Sequence, residues 1–129
     1  MMRTLSRVAV VFLVLACAAH THSDTDRAPV IERLSPDSVI VAPGSVIEIT
    51  VIGSGFHRGA ESGNTVRFAQ STLRGVRANA DGTRIVFVVP DALDSGGEAP
   101  PSRVITGSYP VQVETASGKS NVLMLKVYR

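Results

Sequence analysis

The sequence predicts an all-β fold, an antiparallel sandwich of about seven strands. Three observations predict it. Apolar residues recur at every second position in several separate runs, the period of a strand with one face in a core. No stretch from Pro29 onward repeats at the 3.6-residue period of an amphipathic helix. Gly, Pro, Asn and Asp fall between the runs, where turns belong.

The runs follow in order. Ile47, Ile49 and Val51 alternate with Glu48 and Thr50. The turn Ala42-Pro43-Gly44 precedes them. Gly53 and Gly55 then let the chain leave its strand through a bend that a Cβ obstructs, and Phe56 folds back over the open end of the core. Val66 and Phe68 flank Arg67. Asn79-Ala80-Asp81-Gly82 turns the chain into Ile85, Phe87 and Val89. Pro90 ends that strand, since proline has no N–H for a ladder. Tyr109, Val111 and Val113 alternate with Gln112 and Glu114. Ala116-Ser117-Gly118-Lys119 makes a hairpin to the last run, Leu123, Leu125 and Val127. Val and Ile dominate throughout, and branched side chains suit a pleated surface. Tyr109 stands near the start of its strand, where a hydroxyl reaches back to a backbone group.

The first residues differ in kind. Arg3 and Arg7 precede the apolar run Val8 to Ala16, and small residues surround Cys17. These are the parts of a secretory signal. Nine helical residues rise roughly 14 Å, under half of a ~30 Å hydrocarbon core. The run is therefore too short for a comfortable membrane span. Val14-Leu15-Ala16-Cys17 resembles the lipobox of bacterial lipoproteins. That resemblance implies cleavage before Cys17 and acylation of its thiol and new amino group. An ordinary signal peptide with an unrelated cysteine, or a buried structural cysteine, is the other reading. The expected organisation is a signal over 1–16, a lipidated Cys17 with a polar tether over 17–28, and one domain over 29–129. By resemblance, Ala18 after the cysteine implies sorting to the outer membrane, with the domain facing periplasm or exterior.

Charge excludes several partners. The chain holds 13 Lys and Arg against 11 Asp and Glu. Removing Arg3 and Arg7 with the signal leaves 11 of each. A balanced surface with 5% aromatics and no Trp makes no case for nucleic acid or anionic headgroups. Cys17 is the only cysteine, so no disulfide staples the domain.

An ordered set of residues then points to a family. Pro29, Ile31, Leu34-Ser35-Pro36, Gly44, Ile49-Thr50-Val51-Ile52-Gly53-Ser54-Gly55-Phe56, Asn64-x-Val66-x-Phe68, Ile85 to Pro90, Gly107 to Val113 and Gly118-Lys119-Ser120-Asn121 stand in sequence. This resembles an IPT/TIG domain, the immunoglobulin-like module of plexins, Rel-type transcription factors and bacterial surface proteins. The resemblance spans Pro29 to Val127. It implies an immunoglobulin-like sandwich of the E-set type. One departure is the connection DALDSGGEAPPSRVIT, Asp91 to Thr106, which is long for a compact domain. It is open to two readings, a working loop or a tolerated surface insertion. Val104 and Ile105 either pair as a short extra strand or anchor it.

No catalytic constellation is readable. His20 and His22 lie in the tether, where nothing holds them in a productive pose. His57 is expected on an exposed loop beside Arg58. There is no G-x-S-x-G elbow. Gly53-Ser54-Gly55-Phe56 lacks the following helix that a phosphate cradle needs. The strip His20, His22, Asp24, Asp26 reads as solvated tether, and Asp91, Asp94, Ser95 and Glu98 do not match a calcium loop. No cofactor or metal is expected. The expected function is therefore non-catalytic: a lipid-anchored envelope protein whose domain binds an envelope or surface protein. A carbohydrate accessory module and a structural subunit of an envelope complex are the alternatives, and glycan binding is weakened by the shortage of aromatics. Two surfaces are candidates. One joins the Gly55–Gly63 loop to the long connection, through Phe56, His57, Arg58, Asp94, Glu98 and Arg103. The other is the outward face of the last strands, through Val122, Met124 and Tyr128.

Overall fold

The computed structural model describes residues 27–59, 63–93 and 97–129. Cys17 and Asp94 lie outside them. Among the described residues eleven strand segments are present: β1 (Val30–Ser35), β2 (Ser38–Ile40), β3 (Glu48–Ser54), β4 (Asn64–Phe68), β5 (Ser71–Val76), β6 (Arg84–Val88), β7 (Ala92–Leu93), β8 (Ser102–Arg103), β9 (Gly107–Thr115), β10 (Gly118–Lys119) and β11 (Leu123–Tyr128). The chain is an all-β sandwich, as expected. The count exceeds the expected seven because β2, β7, β8 and β10 have only two or three residues. Periodicity cannot register alternation over so short a stretch.

Sheet one runs in the order β1-β3-β6, and sheet two in the order β2-β11-β9-β4-β5. Neighbours are antiparallel except β2, which lies parallel to β11. The alternating residues face each other between the sheets. Ile49, Val51, Ile85 and Phe87 come from sheet one, and Val66, Phe68, Val111, Val113, Leu125 and Val127 from sheet two; all are buried. Phe68 meets Phe87 across the gap at 6.1 Å between ring centres. It also stacks on Tyr109 at 5.3 Å. Burying side chains of this size stabilises by about 1.5–3 kcal/mol each.

Polar side chains close the seams. Asn121 accepts from Ile31 N at 2.7 Å and donates to Ile31 O at 2.9 Å. Its amide thus imitates a neighbouring strand and ties sheet one to sheet two. Ser120, buried, accepts from Val113 N at 2.8 Å and donates to Asn121 O at 2.7 Å. These bonds carry the chain across the irregular step between β10 and β11. The hairpin expected at residues 116–119 is therefore present but leads first into β10.

Gly53 is a packing requirement. A Cβ there would overlap Val30 O, so β1 lies against β3 only because residue 53 has no side chain. Gly82 is required twice over. Its φ is +68°, and a Cβ would come 2.6 Å from Phe56 O.

Candidate functional site

The strand registers define the two ends of the sandwich. At the near end, β1 starts at Val30 beside Ser54, β6 starts at Arg84 beside Ile52, and β9 ends at Thr115 beside Gly118. At the far end, β3 starts at Glu48 beside Val88, and β9 starts at Gly107 beside Val127. The seven residues of β3 separate these ends by roughly 23 Å.

This geometry corrects the first candidate surface. The segment Gly55–Arg58 follows β3 and lies at the near end. The connection from Asp91 follows β6 and lies at the far end. The two loops therefore do not form one surface. Sequence spacing did not reveal this because it contains no register.

Phe56 is also corrected as a contact residue. It is 3% exposed and belongs to the core, where the sequence also placed its ring. His57 is half-buried rather than exposed. The cause is Asn64, itself 1% exposed. Its Oδ1 accepts from His57 N at 2.7 Å, and its Nδ2 donates to His57 O at 3.0 Å and to Val76 O at 3.0 Å. Gripped on both sides, His57 turns its ring onto Gly63, where any Cβ would overlap the imidazole. Its Nδ1 is buried without a hydrogen-bond partner. A cleft of about 220 Å³ lies between this segment and Thr115, Ala116 and Ser117. No group of three or more His, Cys, Asp or Glu placed to hold a metal occurs among the described residues.

The far end holds a second cleft of about 220 Å³, bounded by Val41, Pro43, Gly44, Asp91, Arg103 and Arg129. The long connection forms a small arm here. Ala92 pairs with Arg103 and Leu93 with Ser102. The extra strand thus falls just before Val104 and Ile105, and of the two readings open for that pair the anchor is the one seen. Val104 is the anchor, 2% exposed, with its N–H donating to Asp91 O at 3.3 Å. Tyr109 grips the exit of the connection: its hydroxyl accepts from Ile105 N at 3.0 Å and donates to Ile105 O at 2.8 Å. Glu98 and Arg103 are exposed.

The second candidate surface lies on the outward face of sheet two. Val122, Met124 and Tyr128 are 48%, 51% and 49% exposed. The structure adds two residues to the row. Ile40, 73% exposed, pairs with Tyr128 through the β2–β11 register. Pro110, exposed, pairs with Met124. Neither was readable as part of this face, because β2 is too short to predict and Pro110 interrupts the propensity of its strand. Lys126 is the one cation in the row, flanked by Ser38 and Ser108.

No family model and no curated protein matches the chain.

Proposed function

We propose that this protein is a non-catalytic, lipid-anchored envelope protein whose immunoglobulin-like domain, of the IPT/TIG type, binds another protein. The observation that carries the binding role is the half-exposed apolar row on sheet two. An outward face that keeps Val122, Met124, Tyr128 and Ile40 in water is one that a partner covers. A protein suits this row better than a glycan, since Tyr128 is the only aromatic ring in it and sugars stack on aromatic platforms. The address rests on Arg3, Arg7, the apolar run and Cys17.

Two measurements test the reading. Labelling of growing cells with a tagged fatty acid should mark the full chain and fail to mark Cys17→Ser; retained label on that variant removes the anchor. Affinity capture of the detergent-solubilised protein should return one stoichiometric partner. Met124→Asp should release that partner while the domain stays folded. Capture unchanged by this substitution removes the outer face from the account.

A further inference from the structure

A β-sandwich of two open sheets has four edges, each a row of backbone donors and acceptors that another chain can pair. Three of them are closed or blunted among the described residues. On β1, the edge groups of Ile31 are taken by Asn121. On β6, Arg84 N donates to Asn79 Oδ1 at 3.0 Å, Arg84 O accepts from Asn79 N at 2.9 Å, and Ala78 bridges Ile85. On β5, the register breaks at Gly75, whose φ is +77°, beside the exposed Arg74.

The β2 edge has none of these devices. Lys126 N donates to Asp37 O at 3.0 Å, and Val41 N donates to Tyr128 O at 2.8 Å. Odd-numbered residues thus turn their backbone groups to β11. Strand geometry directs the N–H and C=O of Ser38 and Ile40 the opposite way, into the open. Both residues are exposed, and neither carries charge. The apolar row begins on this strand at Ile40 and continues through Tyr128 and Met124. Lys126 sits within it and forms no ion pair among the described residues.

We propose that the β2 edge is a strand-addition site: an extended segment of a partner protein pairs with Ser38 and Ile40, lays alternate apolar side chains beside Ile40 and Tyr128, and sets an acidic residue against Lys126. The chemistry selects this occupant. Backbone donors and acceptors repeating every two residues are matched by another extended polypeptide and by neither a bilayer nor a sugar. A carboxylate complements the lone ammonium, whereas a second copy of this chain would bring another Lys126 instead. The inference rests on the protein-binding reading above and specifies the mode of contact.

The test uses the full chain in detergent micelles and a synthetic peptide, acetyl-Thr-Val-Thr-Glu-Thr-Val-amide, whose Val and Glu side chains share one face of the extended strand. Saturating peptide should slow amide exchange at Ser38 and Ile40 by about tenfold or more, with the β5 edge unchanged. Ile40→Pro removes an outward N–H and leaves the β11 ladder intact, so it should abolish the protection at Ser38. Lys126→Glu should weaken the peptide by about fivefold, and a peptide with Lys in place of Glu should restore binding. If Ile40→Pro fails to fold, the charge swap decides by itself. Protection on β5 instead, no protection at millimolar peptide, or equal binding of both peptides by Lys126→Glu overturns the proposal. So does a wild-type dimer that Ile40→Pro turns into monomer, since the edge then pairs with itself. A captured cellular partner that Ile40→Pro still holds overturns the edge site and leaves the protein-binding reading standing. Failure to capture any partner defeats that broader reading, whatever the peptide does.

Discussion

The two ends of the sandwich are built differently. At the near end the chain is fastened by buried or close-packed groups. Asn64 holds the backbone of His57 and Val76, Phe56 N donates to Gly82 O at 3.1 Å, and the Asn79 side chain accepts from Thr83 N and Arg84 N. At the far end the connection between β6 and β9 hangs on fewer points. From 97 to 108 only Val104 is buried. Both ends enclose clefts of similar volume, yet one is framed by a backbone that the buried Asn64 amide fastens and the other by exposed arginines and a two-residue hairpin. The comparison teaches that loop length by itself does not mark a loose end. What matters is how many buried groups each loop owns.

Substitutions sharpen this contrast. The largest effect is expected from Gly53→Ala. A Cβ overlapping Val30 O forces β1 off β3, at a cost of about 4 kcal/mol, read as a drop in the midpoint of urea unfolding. Asn64→Ala comes next. It strands a buried N–H and two carbonyls, and should cost about 3 kcal/mol in the same assay. At the far end, Val104→Ala should cost about 2 kcal/mol, since one small cavity replaces the single apolar anchor. Tyr109→Phe should cost about 1 kcal/mol and raise amide exchange at Ile105, because both hydroxyl bonds go to that residue. Ile105→Ser should change stability by less than about 0.5 kcal/mol, the side chain being 58% exposed. A far-end substitution more damaging than Asn64→Ala would break the comparison.

Much of this was legible in the residue order. The alternation of Ile49 with Val51, Ile85 with Phe87, Val111 with Val113 and Leu125 with Val127 named the core, because burial of one strand face leaves a two-residue signature. Gly53 before Phe56 marked the bend. The Tyr109 hydroxyl bond was expected from its place at the start of a strand. Val122, Met124 and Tyr128 were read correctly as outward. What stayed illegible depends on partners distant in sequence. Asn64 and Asn121 read as ordinary turn-forming residues, since nothing local says that Asn121 meets Ile31 ninety positions away. His57 looked exposed for the same reason. The open β2 edge was invisible, being three residues long.

The sequence by itself determined the class of fold, the membership of its core and the outward side of the last strand. Each is a local property, set by spacing along the chain or by the chemistry of a short segment. Only the tertiary structure decided that the Gly55–Gly63 loop and the long connection lie at opposite ends, that three sheet edges are closed or blunted among the described residues, and that Ile40 joins Tyr128 on one face. Those facts depend on strand register and on which backbone groups find partners. Register is fixed by the joint burial of two sheets, which no single stretch of residues encodes.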